Sequence, residues 1–79
     1  MIEARVLQII AETNGLAEPP QLAESLRDDV GFDDLDFIDM VLALEEAFDI
    51  EIAAEDFDTL ERVQDVVNFV TAAVPQAVA

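Results

Sequence analysis

The residues of this sequence that could do chemistry are carboxylates. Asp and Glu together number 19, whereas His, Cys and Tyr are absent and the one serine is Ser25. Imidazole bases, thiolate nucleophiles and disulfides are therefore excluded. Carboxylates can serve as general acids or bases only in a cleft that holds them against a substrate, and a chain of a few short helices offers little cleft. The sequence therefore predicts a protein that is not an enzyme.

The carboxylates could instead bind calcium. An EF-hand loop needs oxygen-bearing residues at alternate positions and Gly at the sixth. Loops that start at Asp28 or Asp33 place Val30 or Leu35 at the third position, so the pattern fails. We predict no specific metal site, and we expect only loose surface binding of divalent cations by the acids Asp28, Asp29, Asp33 and Asp36.

Residues 34–48 are predicted to form a helix that carries five of the acids. Asp33 or Asp34 can serve as N-cap, because a short carboxylate accepts a hydrogen bond from the free amides of the first turn. Helical spacing then predicts one stripe that faces the core, made of Phe37, Met40, Val41, Leu44, Ala47 and Phe48.

The other face of this helix is unusual, because large aliphatic residues lie among acids. Leu35, Ile38 and Leu42 point away from the predicted core stripe. Each alone could be an ordinary surface aliphatic or could meet a loop. Together they predict a docking patch in which the apolar centre gives affinity and an acidic rim steers basic partners. The rim comprises Asp36, Asp39, Glu45 and Glu46.

The same stretch resembles the acyl carrier protein family, whose members bear 4′-phosphopantetheine. The family pattern is roughly Leu-Gly-x-Asp-Ser-Leu, an acid four places later, Leu-Glu-Glu-x-Phe and Ile-x-Ile. The corresponding segments here, without a gap, are VGFDDL at 30–35, Asp39, LEEAF at 44–48 and IEI at 50–52. VQD at 63–65 extends the match. The resemblance implies one all-α domain over residues 1–79, an acyl-carrier-like bundle of three main helices plus one short helix.

The resemblance also implies a function. Members of the family hold acyl intermediates as phosphopantetheine thioesters and present them to enzymes of fatty acid, polyketide or related lipid synthesis. The implied partners are phosphopantetheinyl transferase and acyl-processing enzymes with basic docking patches. The predicted docking residues Leu35, Asp36, Ile38, Asp39, Leu42, Glu45 and Glu46 occupy the helix that the family uses for recognition.

One position departs from the family pattern. Asp34 stands where the family has the serine that receives phosphopantetheine, and a carboxylate cannot form that phosphodiester. Ser25 lies nine residues upstream in a different context and is a poor substitute. Either Asp34 is an engineered replacement of the serine, or the chain is a natural carrier-like domain that binds partners without a prosthetic group. The otherwise intact motif favours the engineered replacement.

Three further helices are predicted around this one. The first helix spans 2–12 and ends at Thr13-Asn14-Gly15. The next is a short helix over 55–60, and its cap is weak because Ala53-Ala54 stands where the family often has Pro-Asp. The last is 62–74, with a valine stripe that ends at Pro75 and a frayed QAVA tail. A long loop over 13–33, broken by Pro19-Pro20, includes a short helical turn within 21–27.

Charge limits the partners. The 3 basic residues against 19 acidic ones give a formal charge of −16, which excludes ordinary nucleic-acid binding and disfavours anionic membranes. Self-repulsion favours a monomer whose stability rises with salt. The N-terminus lacks a basic region followed by a continuous apolar run, so we expect a cytoplasmic protein without membrane insertion.

Overall fold

Three α-helices form the framework of the computed structural model, which describes residues 2–74. They are α1 (Ile2–Thr13), α2 (Asp34–Phe48) and α3 (Val63–Ala73). Two short helical segments lie in the connections: a π-helical turn at Leu26–Val30 and a 3-10 helix at Ala54–Thr59. Residues 2–74 contain no β-strand, so the predicted all-α bundle is confirmed.

The core lies where α1 meets the other two helices, since α1 packs against both α2 and α3. The predicted stripe of α2 supplies Phe37, Met40, Val41 and Leu44. The predicted valine stripe of α3 is also buried. The apolar faces of the three helices meet in one core, so each face shields the other two from water. Helix α3 contributes Val63, Val66, Val67 and Val70, and α1 contributes Val6, Ile9, Ile10 and Ala11.

The end of α1 follows from its sequence. Gly15 adopts a left-handed conformation with φ of 62°, and the amide of Leu16 donates to the carbonyl of Ala11 at 2.8 Å. This is the closing pattern expected when a glycine follows a helix. The side chain of Asn14 donates to the carbonyl of Val30 at 2.6 Å and so ties the end of α1 to the loop before α2.

The long loop is attached to the start of α3 by backbone hydrogen bonds. The amide of Leu26 donates to Glu61 at 2.9 Å, and the amide of Val63 donates back to Glu24 at 3.0 Å. The guanidinium of Arg62 adds a bond to the carbonyl of Ala23 at 2.7 Å. The loop therefore has a fixed course over the core, where it buries Leu26, Val30 and Phe32.

The helical turn predicted within 21–27 is present as one turn, in which the amide of Glu24 donates to the carbonyl of Gln21 at 3.1 Å. It does not continue, because the carbonyls of Leu22 and Glu24 accept hydrogen bonds from residues 63–64. A separate π-helical turn, which the sequence did not predict, follows at Leu26–Val30. Ser25 begins the turn, since its hydroxyl accepts a hydrogen bond from the amide of Asp28 at 3.2 Å. Gly31 ends it with φ of 90°.

Two smaller expectations also change. Ala47 is exposed rather than part of the core stripe, because it lines an open groove beside Thr13 and Ala43. The third helix is 3-10 and spans Ala54–Thr59 instead of 55–60. Ala53 offers it no side-chain cap, as predicted, and the Asp56 carboxylate accepts from the Ala53 amide at 3.2 Å. The predicted stop at Pro75 and the QAVA tail lie outside the described residues.

Candidate functional site

The first turn of α2 is held by reciprocal capping. The Asp33 carboxylate accepts from the amide of Asp36 at 2.8 Å, and the Asp36 carboxylate accepts from the amide of Asp33 at 3.3 Å. Both acids also lie at the positive end of the helix dipole. Asp33 is therefore the N-cap, which leaves Asp34 as the first helical residue with a side chain free to point outward.

Asp34 lies on the surface at the start of α2. Its side chain is 86% exposed, and its Oδ1 accepts a hydrogen bond from Arg27 Nη1 at 2.9 Å. This ion pair joins the π-helical turn to the start of α2. A carboxylate so open to water is accessible to a second protein, but it lacks the hydroxyl of a serine.

The large aliphatic residues of α2 that the sequence assigned to docking are on the surface. Leu35 is 72% exposed, Leu42 57% and Ile38 46%. Their spacing of three and four residues places them along one side of the helix. We call this surface, together with Asp39 and Glu46, the docking face. The protein leaves its apolar centre uncovered, which is what an interaction surface requires.

The four predicted rim acids fall into two pairs. Asp39 and Glu46 are exposed and are free to attract a basic partner. Asp36 is half-buried in the capping arrangement, and the half-buried Glu45 accepts from the amide of Ile52 at 2.8 Å. Asp36 and Glu45 therefore shape the helix and the loop that follows it, whereas Asp39 and Glu46 present their charge at the surface.

The structure has a cleft of about 410 Å³ that the sequence did not predict, and Arg27, the ion-pair partner of Asp34, lines it. Its aromatic wall is Phe37 and Phe57, whose ring centroids lie 5.4 Å apart, and the Arg27 guanidinium sits 5.6 Å from the centroid of Phe37. The other lining residues are Ser25, Asp28, Asp58, Leu60, Glu61 and Arg62. Segments distant in sequence form this cleft, so helical periodicity offered no signal for it.

The described part of the chain lacks the features of a metal site and of a membrane span. Residues 2–74 hold no group of three or more acidic, His or Cys side chains placed to bind a metal ion. No helix within these residues is both long and apolar enough to cross a bilayer. The acids Asp29, Asp33 and Asp36 instead accept hydrogen bonds from nearby backbone amides.

Comparison with known proteins places these features in a family. A family model described as "Phosphopantetheine attachment site" matches residues 4–70. The acyl carrier protein of Clostridium acetobutylicum is 40% identical over 73 residues, which cover 91% of this chain and 95% of that protein.

Solved structures give the same result. A proposed acyl carrier protein from Mycobacterium tuberculosis superposes with a TM-score of 0.87 at 28% identity, covering 91% of this chain and 97% of that one. The acyl carrier protein of Thermotoga maritima gives a TM-score of 0.77 at 26% identity, covering 92% and 91%. This chain, with its capped second helix and the large aliphatic residues exposed on it, belongs to the phosphopantetheine attachment-site family of acyl carrier proteins.

Proposed function

We propose that this chain docks to carrier-recognising enzymes as an acyl carrier protein does, but bears no phosphopantetheine, because Asp34 stands at the serine position. The observation that supports this most is the location of Asp34. It is the first residue of α2, it is 86% exposed, and Leu35 of the docking face follows it directly. A residue modified by one enzyme and presented to others needs this combination of access and an adjacent binding surface.

Phosphopantetheine does not fit the residues of this chain. Its attachment needs a side-chain hydroxyl to form a phosphodiester, and the Asp34 carboxylate has none. Ser25 is a poor replacement, since its half-buried hydroxyl accepts the amide of Asp28 and caps the π-helical turn. The proposal therefore assigns no acyl transfer to this chain.

The partners we propose are phosphopantetheinyl transferase and acyl-processing enzymes with basic docking patches. Leu35, Ile38 and Leu42 would enter an apolar depression on the partner, while Asp39 and Glu46 pair with Lys or Arg at its edge. Buried apolar area supplies most of the affinity in such an interface, and charge complementarity raises the association rate.

Two origins of Asp34 remain in the proposal. In the first, the serine of a working carrier of fatty acid, polyketide or related lipid synthesis was replaced by engineering to give a uniformly unmodified protein. In the second, the chain is a natural carrier-like domain that regulates or tethers enzymes through the docking face alone. We favour the first, because a chain released from carrier duty has no need to keep the whole motif from Val30 to Leu35 and from Leu44 to Phe48.

The test is the intact mass of this chain and of the Asp34→Ser variant after incubation with coenzyme A and a broad-specificity phosphopantetheinyl transferase. We expect only the Asp34→Ser variant to gain one phosphopantetheine. The Asp34→Ser, Ser25→Ala double variant should gain it equally, which assigns the attachment to position 34.

Two results would contradict the proposal in different ways. A gain of mass by the unaltered chain would point to Ser25 as the true attachment residue. If neither protein gained mass while a known carrier did, position 34 would not be an attachment position for that transferase, and the cofactor-free binding domain would become the better assignment.

A further inference from the structure

Arg27 is held in place from two sides. Its Nη1 atom donates to Asp34 Oδ1 at 2.9 Å, and its guanidinium carbon lies 5.6 Å from the centroid of the Phe37 ring. A guanidinium over an aromatic face is attracted by the ring electrons, and its planar fork still offers donors on its edges. Arg27 is thus oriented toward position 34 by a contact that does not depend on Asp34.

The π-helical turn that carries Arg27 is anchored to the rest of the fold at both of its ends. The neighbouring Leu26 is fully buried and its amide donates to Glu61 at 2.9 Å. Val30, at the other end of the π-helical turn, is buried, and its carbonyl accepts a hydrogen bond from the Asn14 side chain. The turn therefore presents Arg27 to the start of α2 from a rigid base.

This pairing has little to do with stability. The two side chains are 57% and 86% exposed, and ion pairs so open to water contribute little to folding. Yet the sequence contains only 3 basic residues against 19 acidic ones, and one of the three, Arg27, pairs with the acid at the family's modified position. The arrangement is better explained by recognition of the group at position 34.

We propose that Arg27 is an anion receptor directed at position 34 and that a phosphate ester there is its preferred ligand. A guanidinium donates two parallel hydrogen bonds to phosphate oxygens, and a phosphate offers more acceptors and more charge than a carboxylate. The Asp34 carboxylate is the weaker ligand that this chain supplies itself. This inference deepens the proposed function, on which it rests only for the identity of position 34, and it requires neither docking nor transferase activity.

The consequence concerns the adjacent cleft. Arg27 and Phe37 both line it, and Phe57 packs against Phe37 on the inner side. An anion at position 34 therefore gives the guanidinium a second attachment point at the edge of the cleft, besides the Phe37 ring. Without an anion, Arg27 keeps its contact with Phe37 but loses its hydrogen bond at position 34, so its guanidinium rotates more freely.

The experiment uses a phosphate placed without any carrier enzyme. The Asp34→Ser variant is produced with a phosphate on the new hydroxyl by genetic incorporation of phosphoserine, and its titration is followed by phosphorus NMR. We expect Arg27→Gln to raise the midpoint of the phosphate titration by about 0.2 to 0.7 pH units, since a nearby cation favours the doubly charged form. The other charged residues of the cleft, Asp28, Asp58, Glu61 and Arg62, are the same in both proteins and cancel in the comparison.

The matched control is Arg5→Gln, which removes the same charge from an exposed site on α1 near the far end of α2. We expect its midpoint to stay within about 0.1 pH units of the parent, because salt screens charges more than a Debye length apart. A second readout uses the unaltered chain: rotation about the Nε–Cζ bond of Arg27, followed by nitrogen NMR, should be slow and should become faster in Asp34→Asn.

A larger shift of the phosphate midpoint in Arg27→Gln than in Arg5→Gln would support the receptor assignment. Equal midpoints in the parent and Arg27→Gln, or equal shifts in Arg27→Gln and Arg5→Gln, would overturn the receptor assignment. Circular dichroism of each variant shows whether the fold is kept, and the nitrogen NMR comparison decides the matter if Arg27→Gln unfolds. Failure of the transferase experiment would leave these measurements unaffected, so the two proposals fail separately.

Discussion

The docking face makes a quantitative prediction about binding. Leu35→Ala should weaken the affinity for a phosphopantetheinyl transferase or an acyl-processing enzyme without altering the stability of the chain. Full burial of a Leu side chain contributes about 1.5 to 3 kcal/mol. Since 72% of Leu35 is exposed in the free protein, at most that share is left to bury on docking, which corresponds to about 1 to 2 kcal/mol.

That free energy sets the expected change in affinity. Each 1.4 kcal/mol is a factor of ten, so Leu35→Ala should raise Kd by about 5- to 30-fold. Leu42, at 57% exposed, and Ile38, at 46%, have less surface left to bury, which predicts the order Leu35, Leu42, Ile38 for the loss of affinity. The order tests the reasoning more sharply than any single value, because the unknown details of the partner affect all three.

Titration calorimetry is the suitable assay, because Asp34 prevents the transferase from converting the chain during the measurement. The control is Leu7→Ala, which removes the same atoms from a side chain of α1 that packs against the core. It should lower Tm and leave Kd unchanged, whereas Leu35→Ala should lower affinity and leave Tm unchanged. If all three variants of the docking face bound within about twofold of the parent, the recognition surface would lie elsewhere.

Three further predictions concern stability. Asp49→Asn should raise Tm by about 2 to 4 °C, because Asp49 places a negative charge at the negative end of the α2 dipole. The backbone of Asp49 has a φ of 55°, which Asn also tolerates. Glu18→Gln, which removes the same charge from a loop, is the control. Gly31→Ala should destabilise the fold by about 1 kcal/mol or more in urea unfolding, because its φ of 90° strains any residue with a Cβ atom. Salt raised from about 10 to 150 mM should raise Tm, since the Debye length falls from about 30 to 8 Å in a molecule whose longest dimension is 38 Å; an unchanged Tm would refute the self-repulsion argument.

Helix α2 and its exposed face could be predicted from sequence because their determinants are local. The Asp33 cap is made within one turn, and Leu35, Ile38 and Leu42 separate from the core stripe by helical periodicity alone. The fate of Glu45 could not be predicted in this way. Its hydrogen bond to the Ile52 amide depends on the path of the loop after α2, which no periodicity describes.

The loop between α1 and α2 shows the same limit more strongly. Its hydrophobic residues attach it to the core, where Leu26, Val30 and Phe32 are buried. Its π-helical turn at Leu26–Val30 was not predicted, because the backbone of Leu22 to Leu26 bonds to residues 61–64, which are 35 or more positions away. The same attachment sets the course of the loop that brings Arg27 to Asp34. The sequence pattern therefore gave no indication that Arg27 contacts position 34.

Position 34 and the docking face are adjacent but chemically separate, and this separation predicts a competitor. Asp34 removes the attachment chemistry, while Leu35, Ile38 and Leu42 remain exposed on the same helix. This chain should therefore slow the modification of the Asp34→Ser variant by a phosphopantetheinyl transferase, measured as the initial rate of mass gain. At limiting substrate, a concentration of this chain equal to its Kd should halve that rate.

The competition also identifies which surface is responsible. Leu35→Ala in the inhibiting chain should raise the concentration needed for half inhibition by the same 5- to 30-fold factor that calorimetry gives, about 1 to 2 kcal/mol. Glu3→Gln, which removes an exposed acid of α1, should leave inhibition unchanged, whereas Asp39→Asn should weaken it most at low salt. A chain that failed to inhibit even in large excess would show that Asp34 disturbs docking itself, and attachment and recognition could then no longer be treated as independent properties of α2.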